Sequence, residues 1–233
     1  MSQQYISKEL THFTKREAFQ NILEQKILLG GPNVEGLNEG SICYVSNYRN
    51  DISQNDMTEV NKVCFCDIPA GQTEIHMKKY GNFGIAFHKN FIVRKGGIPV
   101  HYVPKDATIN SPYADAGETR ESYFNKITKE LYSYFDNLIV ESSQNPNGKS
   151  DKYRRLHSFI ETQIKPFFQF FDYSLPDDDR DNYYFEREWR VVGNIKFKLN
   201  DVKRVFLPQE DVGDFGAKYP NYKGEIKVVR LDR

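Results

Sequence analysis

Short apolar runs alternate with polar segments through the first hundred residues. The first run, Glu9–Thr14, predicts a short strand, and the segment Lys15–Lys26 that follows has helical spacing. One stripe of that helix carries its apolar side chains, Ala18, Phe19, Ile22 and Leu23. Thr14 precedes the helix with Glu17 three residues later, which is the pattern of a capping box. The chain therefore opens with a strand followed directly by a capped amphipathic helix.

Further apolar runs predict strands at Val63–Cys66, Phe83–His88 and Ile98–Val103. Pro99 and Pro104 place the last of these near a sheet edge or at its end. The run Phe91–Val93 fits either an extension of the second strand or a short helix. The stretch 48–61 is polar and is expected to be irregular.

The middle of the chain changes to helical spacing. Apolar residues recur through Thr119–Val140 and again through Lys152–Lys165, with a polar loop between them that contains Asn145–Gly148. This pattern predicts a helical hairpin inserted at about 118–171. The aromatic run Phe167–Phe171 ends it and is typical of a buried core.

The last part of the chain is rich in strands. Alternating apolar positions predict strands at Phe185–Val192, Asn194–Leu199, Val202–Leu207 and Ile226–Leu231. Helices grouped in blocks beside mainly antiparallel strands are typical of an α+β fold. The prediction is therefore one domain over residues 1–233, built on a mixed, mainly antiparallel sheet with the helical hairpin inserted.

Composition removes several classes of function. The 32 basic and 32 acidic residues give a formal net charge of zero, which disfavours a nucleic-acid-binding regulator and a membrane-surface protein. No apolar run reaches the roughly 20 residues of a membrane span, and the first residues lack the pattern of a signal peptide. The three cysteines, Cys43, Cys64 and Cys66, are expected to be reduced core residues. These features predict a cytoplasmic protein.

The strand predicted at Phe185–Val192 carries the most distinctive chemistry. Side chains alternate across a strand, so Glu186, Glu188 and Arg190 are expected on one face. Paired carboxylates at this spacing suit a reaction in which positive charge develops on a sugar carbon. The simpler alternative is a charged, solvent-facing side of an ordinary strand.

Several short motifs, taken in order, resemble the AbiGi family of abortive phage resistance proteins, whose usual label is antitoxin. They are His12-Phe-Thr14, Val63-Cys-Phe-Cys-Asp67-Ile-Pro69, Lys79-Tyr80-Gly81 before Gly84-Ile-Ala-Phe, Gly97-Ile-Pro99-Val100-His-Tyr102 and Glu186-Arg-Glu188-Trp189-Arg190. The resemblance covers nearly the whole chain apart from the helical insertion.

The same order is similar to the mono-ADP-ribosyltransferases, including bacterial toxins that modify DNA. That resemblance implies that NAD is the substrate and that His12 and Thr14 bind it. It also implies that Tyr80 lines the nicotinamide pocket or stacks on the nicotinamide. Glu188 would be the catalytic acid, with Glu186 beside it orienting the acceptor or removing its proton. The chain departs from the family pattern, because its middle strand lacks a Ser-Thr-Ser sequence. The arginine that contacts NAD stays open among Arg16, Arg49 and Arg94.

Each candidate residue also has a structural explanation. His12 fits a core or capping position, Tyr80 fits simple packing, and Asp67 before Ile-Pro is typical of a turn. The remaining histidines lack metal-ligand spacing, so no metal site is predicted; they are His76, His88, His101 and His157.

Two functions follow from these patterns. The first is an NAD-dependent transferase in phage defence or a toxin-antitoxin system, with a protein or nucleic-acid acceptor. The alternative is a non-catalytic AbiGi-type antitoxin or binding module that neutralises a cognate toxin.

Overall fold

A computed structural model describes residues 7–31, 39–143, 149–176, 179 and 181–229, and the side chains of 139–143 and 149–150 lie outside this description. The helices are α1 Arg16–Gln25, α2 Glu74–Tyr80, α3 Lys89–Arg94, α4 Arg120–Ser143, α5 Lys149–Phe159 and α6 Val212–Lys218. The strands are β1 Glu9–Thr14, β2 Ile27–Leu28, β3 Tyr44–Ser46, β4 Thr58–Val60, β5 Lys62–Cys66, β6 Phe83–His88, β7 Ile98–Pro99, β8 His101–Pro104, β9 Phe168–Phe171, β10 Glu188–Val192, β11 Ile195–Lys196, β12 Val202–Pro208 and β13 Glu225–Val229.

The chain divides into two compact units. Unit 1 comprises residues 1–41, 62–99 and 186–233, and unit 2 comprises residues 42–61 and 100–185. The second segment of unit 2 contains the predicted helical hairpin and extends beyond it on both sides.

Unit 1 is built on a seven-stranded sheet in the order β13-β12-β6-β1-β5-β10-β7. Its neighbours pair antiparallel except for β12 and β13, which are parallel. The α+β class and the mainly antiparallel sheet predicted from the sequence are therefore confirmed. The strand β5 lies between β1 and β10, so residues from three distant parts of the chain become neighbours.

Apolar side chains cover both faces of the unit 1 sheet. On one face, Ile85 and Phe87 pack with Phe19 and Leu23 of α1. A smaller cluster that includes Phe13, Ala86 and Phe206 forms a second apolar group. Burying large aromatic groups supplies much of the free energy that holds such a sheet together.

Unit 2 contains α4, α5, the antiparallel pair β3 and β4, and the parallel pair β8 and β9. The segment 48–61, expected to be irregular, holds a 3-10 turn at Ile52–Gln54 and strand β4. The helix predicted to end at Lys165 changes after Phe159 into a π-helix, Ile160–Ile164. The aromatic run forms β9, where Phe170 and Phe171 are buried as predicted. The Asn145–Gly148 loop lies outside the described residues.

Two local predictions are wrong, and one that was left open is decided. Helix α1 begins after Lys15, whose side chain makes no capping hydrogen bond, so Thr14 and Glu17 form no capping box. Thr14 is instead the last residue of β1. Cys43 is exposed rather than buried in a core. The run Phe91–Val93, left open between two elements, lies in α3.

The strand predicted at Phe185–Val192 begins only at Glu188. Glu186 ends a 3-10 turn, Tyr184–Glu186, and Arg187 has a φ of 45°, which lies in the left-handed region. A non-glycine residue with positive φ breaks the alternation of side chains that a regular strand requires. Glu186 and Glu188 therefore do not share a strand face by simple alternation.

Candidate active site

A cavity of about 260 Å³ in unit 1 brings most of the predicted site residues together. Four of them line it, namely His12, Tyr80, Glu186 and Glu188. They come from β1, the end of α2, the turn before β10 and the start of β10. Thr14 is absent from the lining although His12 and Phe13 are present. The sheet order explains this convergence, because β1 and β10 lie on either side of β5.

His12 is fixed by a hydrogen bond across the sheet. Its Nδ1–H donates to the backbone carbonyl oxygen of Cys64 at 2.8 Å. Burial lowers the pKa of His12, and the bond to Cys64 only partly offsets that effect. The ring is therefore neutral near pH 7. Its Nε2 is then unprotonated and can accept a hydrogen bond from a hydroxyl group of a ligand.

Glu186 is held by two side chains of α2. Lys79 Nζ and the Tyr80 hydroxyl each donate to its Oε1 at 2.5 Å. Burial, and then the neighbouring Glu186, raise the pKa of the Tyr80 phenol, so the hydroxyl keeps its proton. Tyr80 as a whole remains more than a third exposed despite its bond to Glu186.

Glu188 is held from its own strand. Arg190, two residues along β10 and on the same face, donates from a terminal guanidinium nitrogen to Glu188 Oε2 at 2.6 Å. Both side chains are about 7% exposed. A buried carboxylate without such a partner would be strongly destabilising. The cavity thus contains two carboxylates, each held by a cation.

The cysteines in the lining are poor nucleophiles. Burial raises the pKa of the Cys64 and Cys66 thiols well above the ordinary value, and nearby carboxylates add to the effect. Neither cysteine forms a disulfide. Within the described parts of the chain, no group of three or more histidine, cysteine or acidic side chains could hold a metal ion.

The three arginines left open for NAD lie elsewhere. Arg16 forms an ion pair with Asp211 at 2.6 Å, and neither Arg49 nor Arg94 lines the cavity. The cations of the site are instead Lys79, Arg190 and the cavity-lining Lys62. Lys79 was expected only as part of a motif, and neither His76 nor Lys62 was predicted to belong to the site.

His76 extends the lining on the side of α2. Its side chain is buried close to the backbone of Glu186 and lies between the rings of Phe13 and Tyr80. Burial, and next the charge of Lys79, lower the pKa of His76 to about 4. The folded protein therefore holds this imidazole neutral down to mildly acidic pH.

His76 makes stability depend on pH between about 6.5 and about 4. The unfolded chain binds a proton on this residue below pH 6.5, whereas the folded chain does so only near pH 4. Lowering the pH through this window therefore favours unfolding, by at most about 1.4 kcal/mol per pH unit from this group. Urea unfolding at pH 4.5, 5.5 and 7 gives the free energy of unfolding at each pH. This free energy should change less with pH in His76→Gln than in the wild type. The same pH dependence in both proteins would exclude His76 as its source.

The family comparison covers most of this site. Residues 41–223 match the model of a family described as "Putative abortive phage resistance protein AbiGi, antitoxin". The chain belongs to the AbiGi family. The region matched by the AbiGi model contains Tyr80, Glu186 and Glu188, whereas His12 and Thr14 precede it.

A curated relative supports the AbiGi assignment. The chain is 27% identical over 163 residues to "Abortive phage resistance protein AbiGi" of Lactococcus lactis subsp. cremoris. The aligned region covers 64% of this chain and 56% of the relative, so the chain spans little more than half of that protein's length. No solved structure matches the chain. No helix in the described residues is long and apolar enough to cross a membrane.

Proposed function

We propose that the chain is a phage-defence protein that binds NAD in the unit 1 cavity and transfers ADP-ribose to a macromolecular acceptor. The observation that carries this proposal is the meeting of His12, Tyr80, Glu186 and Glu188 around one cavity. These four residues lie far apart in the sequence, and the resemblance to ADP-ribosyltransferases implies that they act together. Membership of the AbiGi family supports the role in phage defence.

The residues present fit one end of NAD. The cavity of about 260 Å³ is slightly smaller than typical small-molecule sites of about 300–1,000 Å³. Its size suits the nicotinamide and its ribose, while the adenosine end would extend outside. Carboxylates and a neutral imidazole are suitable acceptors for ribose hydroxyls, and the aromatic ring of the exposed Tyr80 suits stacking on nicotinamide.

NAD supplies a glycosidic bond between C1′ of the ribose and the nicotinamide nitrogen. When that bond breaks, its electron pair leaves with nicotinamide, and a nucleophile of the acceptor bonds to C1′ and loses a proton. The fixed carboxylate of Glu188 stabilises the positive charge that develops on the sugar. Arg190 holds this carboxylate at 2.6 Å, so no reorganisation is needed at the moment of reaction.

A non-catalytic antitoxin is the second candidate. The ion pair between Glu188 and Arg190 favours it, because a carboxylate held this way also serves a purely structural role. The family description names an antitoxin, which implies a cognate toxin as partner. In that case the fold is kept as a binding surface and the cavity performs no chemistry.

Replacing Glu188 with glutamine tests the transferase directly. The variant should release nicotinamide from NAD at least about 100-fold more slowly than the wild type, because the charge that stabilises the transition state is lost. The amide oxygen still accepts a hydrogen bond from Arg190, so the fold should persist. The measurement is nicotinamide release by purified protein, with and without bacterial extract.

Glu24→Gln is the matched control, since this glutamate lies on α1, is half exposed and pairs with Lys218 away from the cavity. It should leave the rate unchanged. No release by folded wild-type protein would contradict the transferase. If Glu188→Gln then still neutralised a co-expressed toxin, the antitoxin role would replace it.

A further inference from the structure

We infer that α2 positions Glu186 as the acceptor of a ligand ribose hydroxyl, with Lys79 and Tyr80 as its positioning residues. This inference rests on the proposed NAD site and deepens it. It gives the two carboxylates different tasks and brings in Lys79, which no comparison assigns. It also replaces the expectation that Glu186 orients the acceptor or removes its proton.

Three side chains on one face of α2 lie next to Glu186. His76, Lys79 and Tyr80 have the i, i+3, i+4 spacing that places side chains together on a helix. Lys79 Nζ and the Tyr80 hydroxyl bind the carboxylate at 2.5 Å each, and the imidazole of His76 lies close to the backbone of the same residue. The side chain of Glu186 is thus held by one short helix.

The two contacts to the carboxylate use the same oxygen, Oε1. Across the described parts of the chain, no residue hydrogen-bonds to Oε2, although Glu186 lines the cavity. Charge-assisted hydrogen bonds are short and strong, so Oε1 is held firmly and Oε2 is aimed with little freedom. An ionised carboxylate oxygen accepts hydrogen bonds only, and a ribose hydroxyl is the matching donor.

The backbone on the other side of Glu186 is also fixed. The carbonyl oxygen of Arg187 accepts a hydrogen bond from the backbone N–H of Asp67 at 3.1 Å, and Arg187 has a φ of 45°. Lys89 in turn binds the carboxylate of Asp67 at 2.7 Å. A non-glycine residue is kept in the left-handed region only when its surroundings hold it there. The turn therefore delivers Glu186 to the cavity in a defined orientation.

Glu186 and Glu188 differ in how their partners hold the carboxylate. The cation and the phenol that bind Glu186 converge on a single oxygen, so the carboxylate is held in one orientation that suits hydrogen-bond acceptance. Glu188 lies at the start of β10 with its own arginine. We assign ligand positioning to Glu186 and stabilisation of the reacting carbon to Glu188.

Lys79→Met tests this assignment, with Lys79→Arg as the conservative variant. Losing one hydrogen bond to a charged group should weaken NAD and ADP-ribose binding and raise the KM for NAD by about tenfold or more. Lys79→Arg should recover most of the binding. Tyr80→Phe should weaken binding in the same direction. Binding is measured by calorimetry and nicotinamide release by steady-state kinetics, with thermal unfolding as the check of folding.

Lys78→Met is the matched control, because Lys78 is the neighbouring lysine of α2, is exposed and does not line the cavity. It should bind NAD as the wild type does. Unchanged binding and KM in folded Lys79→Met would overturn the inference while leaving the transferase intact. Wild-type protein that neither binds nor cleaves NAD would overturn both. A loss of stability alone, without rescue by Lys79→Arg, would reduce Lys79 to a structural role and reject the inference.

Discussion

Glu161→Leu should lower the free energy of unfolding by about 3–5 kcal/mol, measured by urea denaturation at pH 7. The side chain of Glu161 is fully buried in unit 2. It accepts hydrogen bonds from Ser46 at 2.6 Å, Thr58 at 2.5 Å and Tyr132, and it pairs with Lys165 at 3.2 Å. Leucine would leave a buried lysine and three hydroxyls, two of them buried, without their acceptor, and leaving such groups unpaired costs the most free energy.

The destabilisation caused by Glu161→Leu should become smaller at low pH. Burial alone would raise the pKa of Glu161, but the hydrogen bonds from Ser46, Thr58 and Tyr132 hold it below its ordinary value of 4.5. The unfolded carboxyl therefore takes up a proton first, and the stabilisation is lost as the pH falls below 4.5 through the folded pKa. The difference between wild type and variant should shrink accordingly in acid.

The double variant Glu161→Leu, Lys165→Met removes both charges. It should recover a large part of the loss, because replacing a buried ion pair by apolar groups is often close to neutral. Glu130→Leu on α4 is the control, since Glu130 is exposed. A double variant as unstable as Glu161→Leu would mean that the hydroxyl partners, rather than the uncompensated lysine, determine the cost.

Gly81→Ala should destabilise unit 1 by about 1–3 kcal/mol and weaken the proposed NAD binding in parallel. Gly81 has a φ of 125°, a conformation that residues with a Cβ rarely adopt. A Cβ there would lie 2.4 Å from the backbone oxygen of Thr14, at the end of β1. Relieving that clash must move the C-terminal end of α2, where Lys79 and Tyr80 hold Glu186.

Gly71→Ala is the matched control for this experiment. A Cβ on Gly71 would meet no atom within 4 Å, and its φ lies outside the left-handed region. Thermal unfolding and calorimetric NAD binding should therefore stay near wild type. If Gly81→Ala were as stable as Gly71→Ala, the close approach of α2 to β1 would not constrain the site.

The elements that could be predicted from the sequence are those whose buried side chains form a continuous or regularly spaced apolar pattern. Phe83–His88 was predicted as a strand and is one, because five of its six residues are buried at the centre of a sheet. The convergence of His12, Tyr80 and Glu188 followed only from family resemblance, because strand order is not visible in local pattern. Thr14 failed as a cap, since its β1 pairing with Phe83 keeps it in a strand.

The chemistry around Glu186 was harder to predict. Alternation along Phe185–Val192 implied a regular strand, but the positive φ of Arg187 depends on a contact with Asp67 from a distant segment. The Glu161 cluster combines residues from β3, β4, α4 and the π-helix, so no local motif signals it. Both arrangements are tertiary, and local propensity carries no information about them.

The place of β5 in the sheet has a consequence during synthesis on the ribosome. One edge of β5 pairs with β1, but its other edge stays unpaired until β10 has been made, after the whole of unit 2. Glu186 and Glu188 arrive with that last partner. A nascent chain that stops before β10 therefore holds no assembled cavity, so any chemistry the protein performs begins only after β10 has been translated.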